Sequence, residues 1–346
     1  MSVQITFLLV IRNERERAVR CLTSMLQQTL DPPSYEIVVV DGLSQDGTRQ
    51  AVEDVIAQHP DRDIRLLDNP GVILSCGWNI GIRASRAPYV VRPDAHAQVP
   101  PDFLEKNLAV MEQHPEAWAV GGVLTTCGDG FWGEIIAAAM SSRMGVGNSR
   151  FRVGGKAGSV DTVVFGLYKR EHLLSAGGFD ESIPLNQDNV CHARLRQNGG
   201  ILYFDPSIRS TYFSRSSLSS LFRQMFRRGY WLVLMLKHQS SGAMQPRYVV
   251  PLLFVSSLLG LGLAAVRFPP AGLAAGAILG IYWGAAWAAS LGMALSPLQK
   301  LCLPLAFLTT HVAYGIGSLC GLLVLPCHHP TSGELNRSTP GKGATP

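Results

Sequence analysis

An α/β fold built on a mostly parallel sheet, followed by membrane-crossing helices, is what these 346 residues encode. Three observations carry that reading. Short β-branched runs alternate with amphipathic stretches, the pattern of strands joined by helical crossovers. Polar residues gather where those runs stop, at the strand ends where α/β sheets hold ligands. Near the C-terminus, residues 249–266, 271–295 and 301–326 contain no Asp, Glu, Lys or Arg. Each of these runs matches or exceeds the roughly 18 to 20 residues that cross a bilayer as helix. A composition of 47% hydrophobic and 16% charged residues leans the same way.

The elements follow in order. Residues 5–11 read as a buried strand and 16–28 as a helix. Residues 36–40 form a second strand ending at Asp41, and Gly42 to Gly47 is a turn rich in small and polar residues. The stretch 48–58 is a helix, 64–67 a third strand, 78–84 a short helix, 89–92 a fourth strand and 101–113 a helix. A second portion opens with a strand at 119–122. An apolar helix at 132–144 and a Gly- and Arg-rich loop at 145–158 come next. A strand at 163–168, a short helix at 171–176 and a turn at 177–180 lead to a helix running from Asn186 to about 198. Its Asp188 sits in the first turn, where the helix dipole favours the ionised acid.

Residues 217–237 predict a helix with Phe222, Phe226, Tyr230 and Trp231 among arginines, a mixture suited to a membrane surface. Arg223, Arg227, Arg228, Lys237 and Arg247 crowd the approach to the first span and place that side in the cytoplasm. Gly260, Gly262, Gly276, Gly280, Gly284, Gly315, Gly317 and Gly321 fit close helix packing in lipid. The tail at 331–346, rich in Gly, Pro, Ser and Thr, reads as disordered.

The first strand has no basic region before it and runs into Arg12-Asn13-Glu14, unlike a signal peptide. The net charge of +5 is read as attraction to anionic lipid headgroups. No aromatic-and-basic or zinc-finger spacing supports nucleic acid as a partner. The seven cysteines form no C-x-x-C pair and read as free thiols in a reducing compartment.

Chemistry concentrates in Asp94-Ala95-His96, just after the fourth strand. Residues two apart on an extended chain share a face, so a carboxylate and an imidazole emerge together. Hard oxygen beside borderline nitrogen suits Mg²⁺ or Mn²⁺, although a solvated turn explains the tripeptide alone. Arg12-Asn13-Glu14 and Asp41 stand at neighbouring strand ends.

Taken together, these residues resemble a family 2 glycosyltransferase with a GT-A fold, Rossmann-like and mostly parallel. The resemblance rests on Val10 to Glu14, on Glu36 through Gly42, on Asp46-Gly47-Thr48 and on Gly77-Trp78-Asn79-Ile80-Gly81. It continues through Arg92 to Ala97, where the family normally has Asp-x-Asp, then Phe165-Gly166, Gly177 to Glu181 and Asn186-Gln187-Asp188. The Asp-Ala-His variant, residues 145–149 and the C-terminal spans are most similar to the succinoglycan-biosynthesis (ExoA-like) branch.

The resemblance implies a glycosyltransferase domain over residues 1–240, with a nucleotide-sugar half at 1–118, an acceptor half at 119–214 and a membrane-surface helix at 215–240. Three transmembrane helices at 249–326 and a disordered tail at 327–346 complete the chain. The activity implied is inverting transfer of a hexose from a nucleotide-diphosphate sugar, a UDP-hexose being expected, to a lipid-linked or polysaccharide acceptor. Asp188 is then the general base, beside Gln187 where the family has Glu. Asp94, and His96 with it, would hold a divalent metal, Mn²⁺ or Mg²⁺, and Asp94, Asp41 and Glu14 would contact the donor. Gln224 and Arg227 stand in a broken Gln-x-x-Arg-Trp motif and are expected at the acceptor or diphosphate; a surface helix explains them equally well. The implied setting is the inner (plasma) membrane, multi-pass, with the catalytic domain cytoplasmic and membrane lipids as partners. A processive polysaccharide synthase and a degenerate membrane-bound nucleotide-sugar-binding protein are the alternatives.

Overall fold

Apolar β-branched sequence makes the first strand, β1 (Ile5–Ile11), in which every residue is buried. The computed structural model describes residues 3–235 and 245–325, so Lys237 and the tail at 327–346 lie outside the described residues. Those residues fall into two compact units, one of 3–123 with 156–210 and the other of 124–155 with 211–325.

In the first unit β1 leads through α1 (Arg15–Leu26) to β2 (Tyr35–Asp41), α2 (Thr48–Gln58), β3 (Ile64–Asp68), α3 (Leu74–Ala84) and β4 (Tyr89–Val91). β1 pairs in parallel with β2 and β4, and β2 with β3. This side of the sheet has the parallel character expected. β5 (Ala97–Gln98), α4 (Phe103–Gln113) and β6 (Ala117–Cys127) follow, and after the excursion into the second unit come β7 (Gly158–Ser159), β8 (Leu167–Lys169), α8 (Arg170–Ser175), α9 (Gln187–Gln197) and β9 (Ile201–Phe213). β8 runs antiparallel to β4 and β6, so the nine-stranded sheet, in the order β3-β2-β1-β4-β8-β6-β9-β5 with β7 on β9, is mixed beyond β4.

The strand expected at 163–168 shrinks to β8 for a visible reason. Phe165 is buried at φ 45°, a conformation bulky residues avoid, and it bends the chain just before pairing begins. Beside it, Gly166 lies so close to β6 that a Cβ would stand 2.7 Å from the Val120 carbonyl. The core joins Leu8, Val10, Val38, Val40 and Val90 of the sheet to Trp78, Ile82, Phe179 and Leu195. At the N-terminal end of β2 the buried Glu36 accepts from Thr6 at 2.7 Å and from Arg65 and Arg86 at 2.8 Å, so its role is to tie strands together.

The second unit holds α5 (Gly130–Met140), the single turns α6 (Arg143–Val146) and α7 (Arg150–Val153), and α10 (Leu218–Leu234). Three helices long and apolar enough to cross a bilayer complete it: α11 (Pro246–Ala265), α12 (Pro269–Leu291) and α13 (Pro297–Val324). Each begins on proline, whose fixed φ and missing N–H suit the first helical position. Ile135, Ile136 and Met140 of α5, Leu221 and Met225 of α10, and Leu303, Ala306 and Phe307 of α13 share one core.

Where α10 crosses α13 the backbones nearly touch. A Cβ on Gly229 or Gly317 would stand 2.1 Å from the carbonyls of Tyr314 and Phe226 respectively. Gly315 and Gly321 are similarly close to Pro251 and Tyr230. The other glycines expected at helix contacts, Gly260, Gly262, Gly276, Gly280 and Gly284, have no neighbour within 4 Å among the described residues. They belong to the outward faces of α11 and α12, where Leu263, Leu273 and Ile281 are three-quarters exposed.

Candidate active site

The parallel half of the sheet delivers its strand ends to one edge, and the loops there are laced together. Asn13, at φ 52° just beyond β1, accepts from the Gln45 N–H at 2.9 Å and donates its own N–H to Ser44 Oγ at 3.0 Å. The buried Asp41 carboxylate at the end of β2 accepts the Ser44 hydroxyl at 2.5 Å and its N–H at 3.2 Å, with Arg49 at 3.6 Å. Asp46 bonds the Thr48 N–H and hydroxyl at 3.0 and 2.5 Å, so its carboxylate is used in the turn that starts α2.

Glu14 and His96 meet across this edge. His96 Nε2 lies 2.9 Å from Glu14 Oε1, while Oε2 of the same acid takes Arg17 at 3.0 Å. Burial raises the Glu14 pKa, but the hydrogen bonds and charges of His96 and Arg17 outweigh it and hold the carboxyl below its usual range.

Asp188 pairs with Arg92, a residue that sequence reasoning gave no role and that stands two positions before Asp94. Its side chain is 2% exposed, directly after β4. The guanidinium carbon lies 4.2 Å from the Trp78 ring, 4.6 Å from Phe179 and 5.4 Å from Tyr168. Nη2 donates to Asp188 Oδ1 and, at 3.2 Å, to the Tyr168 hydroxyl. Burial works to discharge the arginine, but the nearby charges of Asp188 and Asp94 and the Tyr168 hydroxyl more than offset it and raise its pKa. Behind it Tyr168 Oη is 2.7 Å from His192 Nε2, and His192 Nδ1 is 2.8 Å from Thr162 Oγ1. His192 is fully buried, and burial pushes its pKa down to about 4.

The Asp188 carboxylate itself is 40% exposed, so one oxygen is anchored while the group still faces solvent. Asn186, at φ 63°, turns the chain into α9 immediately before it. The loop at 177–181 that supplies Phe179 is fastened by Asn79 of α3. Asn79 donates to the Phe179 carbonyl at 2.8 Å and to Glu181 Oε1 at 2.7 Å, and accepts the Phe179 N–H at 2.8 Å. Gly178 at φ 68° allows this, since a Cβ would stand 2.5 Å from Asn79 Oδ1.

Among the described residues no group of three or more His, Cys, Asp or Glu side chains converges as a metal cage. The donors present are Asp94 and an imidazole whose Nε2 is engaged by Glu14. Such a sparse set fits a hard divalent ion that takes its other ligands from phosphate oxygens and water. Gln224 and Arg227 stand three residues apart on α10 in the second unit, where burial and the charge of Arg215 push the Arg227 pKa down.

The comparisons agree with this architecture. Residues 6–173 match the model of glycosyl transferase family 2. The chain is 28% identical over 273 residues to the succinoglycan biosynthesis protein ExoA of Rhizobium meliloti (strain 1021), covering 76% of this chain and 80% of that protein. It is 27% identical over 243 residues to the dolichyl N-acetyl-α-D-glucosaminyl phosphate 3-β-D-2,3-diacetamido-2,3-dideoxy-β-D-glucuronosyltransferase of Methanococcus voltae, covering 65% of this chain and 74% of the relative. Among solved structures it is similar in fold to the mannosyltransferase PcManGT of Pyrobaculum calidifontis in complex with GDP-Man and Mn²⁺, with TM-score 0.58, 19% identity and coverage of 93% and 88%. S. aureus TarS 1–349 gives TM-score 0.54 at 14% identity, covering 93% of this chain and 92% of that one. Residues 6–173 are thus a glycosyl transferase family 2 domain on a GT-A fold, in a chain that also carries three helices able to span a membrane.

Proposed function

We propose that this protein is a membrane-anchored, inverting glycosyltransferase that moves a hexose from a nucleotide-diphosphate sugar to a lipid-linked or polysaccharide acceptor at the cytoplasmic face of the plasma membrane. The observation that carries the reading is the ion pair of Asp188 with the buried guanidinium of Arg92, two residues before Asp94 at the end of β4. One acid follows a parallel strand at the ligand-binding edge; the other starts a helix and keeps an exposed oxygen. That is the division of labour a single displacement needs: one group towards the leaving diphosphate, another to take the acceptor hydroxyl proton as the new bond forms.

In this reading residues 1–118 hold the donor and 119–214 the acceptor. Asp41 and Glu14 line the nucleotide side, and Gln224 and Arg227 bind acceptor or diphosphate from α10. Asp94, with His96 if it gives up Glu14, would hold a divalent ion, whose chemistry is to neutralise charge on the departing diphosphate. Asp188 takes the proton, and its ion pair with Arg92 holds the carboxylate in place. Lipid-linked and polysaccharide acceptors are supported by the names of the two relatives and by the apolar helices, and a nucleotide-sugar donor by the GDP-Man bound to PcManGT.

The test is a screen of nucleotide sugars for release of nucleoside diphosphate by the detergent-purified protein, with lipid-linked saccharides as acceptors and with or without Mn²⁺. One donor is expected to be consumed, and Asp188→Asn is expected to lower turnover by about 100- to 10,000-fold, the range a general base contributes. Wild-type turnover in Asp188→Asn, or no donor consumed with any acceptor, overturns the assignment.

A further inference from the structure

We propose that Arg92 is the positioning residue of the transfer reaction, a buried cation that locks Asp188 in one orientation and ties it to the inner wall of the domain. The inference rests on Asp188 being the base.

The geometry separates Arg92 from an ordinary surface ion pair. Its guanidinium is walled by Trp78 at 4.2 Å and Phe179 at 4.6 Å, so it cannot swing away from Asp188 without breaking two cation–π contacts. It is held from behind by the Tyr168 hydroxyl at 3.2 Å. The same oxygen lies 2.7 Å from His192 Nε2, and the imidazole in turn reaches Thr162. The chain Asp188–Arg92–Tyr168–His192–Thr162 therefore anchors a half-exposed carboxylate to side chains buried beneath β8 and α9. A planar, permanently charged fork is what both the ring stacking and the directed bond to Oδ1 require, and lysine meets neither condition.

The charged and titratable groups facing Asp188 are Arg92 from the end of β4, Tyr168 from β8 and Cys191 and His192 from its own helix. Of these only Arg92 is a cation at neutral pH, since His192 is neutral above about pH 4. An opposite charge in contact commonly lowers a carboxyl pKa by about one to three units.

Two readouts test this on the full-length protein in detergent. The first needs no substrate. A water-soluble carbodiimide captures the protonated carboxyl, so the pH at which Asp188 labelling is half-maximal, followed by peptide mass spectrometry in EDTA, reports its titration. Arg92→Met is expected to move that midpoint up by about one unit or more, with Arg92→Lys in between. Tyr168→Phe, which keeps the charge and removes only its rear anchor, is expected to move it less.

The second readout is turnover on the donor found in the screen. Arg92→Lys is expected to lower kcat at least tenfold and shift the acidic limb of its pH profile upward, leaving the donor KM within about twofold. A labelling midpoint unmoved in Arg92→Lys and Tyr168→Phe, in variants that melt with the wild type, overturns the proposal. So does a change in KM alone. Full activity in Asp188→Asn would instead defeat the base assignment while leaving the labelling result intact, so the two failures are distinguishable.

Discussion

Replacing Asn79 by alanine tests whether the loop carrying Phe179 is held from α3. Three hydrogen bonds are lost at once: two with the Phe179 backbone at 2.8 Å and one with the Glu181 carboxylate at 2.7 Å. The Phe179 side chain is 1% exposed, so water does not readily replace what the amide supplied. Taking about 1 kcal/mol for each neutral bond and about 1.5 to 3 kcal/mol for the charged one gives a loss of about 3.5 to 5 kcal/mol. For a unit of this size that is a fall in Tm of about 7 to 20 °C. Thermal unfolding in detergent, followed by tryptophan fluorescence, measures it directly, because the Trp78 ring packs tilted against Phe179 at 4.7 Å. Turnover should fall with it, since Phe179 is one wall of the Arg92 site. An Asn79→Ala protein that melts within about 2 °C of wild type would refute the view that this residue fastens the loop.

Three further outcomes follow from the same structure. His192 has its folded pKa depressed from 6.5 to about 4, so its contribution to stability is complete above about pH 6.5 and is lost as pH falls towards 4. Wild type should lose on the order of 3 kcal/mol more over that window than His192→Gln in parallel melts, and equal slopes would exclude the effect. Glu14 also has a depressed folded value against an ordinary 4.5, so its pairing stabilises above about pH 4.5 and fades below it. His96→Ala should lower stability at pH 7 by about 1 kcal/mol or less and leave the two proteins indistinguishable well below pH 4, as melts at the two pH values will show. Gly317→Leu should destabilise the protein severely, because its Cβ would meet the Phe226 carbonyl at 2.1 Å, whereas Gly276→Leu points into open space and should melt as wild type.

Much of the fold could be read directly because the two central parallel strands, β1 and β2, are fully buried. Ile5 to Ile11 and the run ending at Asp41 are largely apolar sequence with polar residues gathered at one end, and those ends carry the candidate site. β9 escaped detection although its inward residues alternate faithfully: Leu202, Phe204, Ile208 and Ser210 are buried. Asp205, Pro206 and Arg209 interrupt that pattern in one dimension and are harmless on an alternating strand. The acids of the candidate site stood out in the sequence because carboxylates at strand ends and helix starts are conspicuous. Arg92 was not, because a cation beside an apolar run signals exposure, and nothing local reveals that Trp78, Phe179 and Tyr168 close around it. Similarly, Gly317 and Gly276 look alike in sequence, and only the crossing of α10 over α13 tells them apart.

That crossing has a consequence for how the protein reads its surroundings. With Gly229 against Tyr314 and Gly317 against Phe226, α10 cannot slide along α13 without backbone collision. α13 has 28 residues and is about 42 Å long, well beyond the roughly 30 Å of a bilayer's hydrocarbon. In a membrane such a helix would adjust by tilting, and α10, packed against it, would tilt with it and take Gln224 and Arg227 along. Bilayer thickness thereby becomes a mechanical setting on the helix that bears them, one that vesicles of graded acyl-chain length can turn.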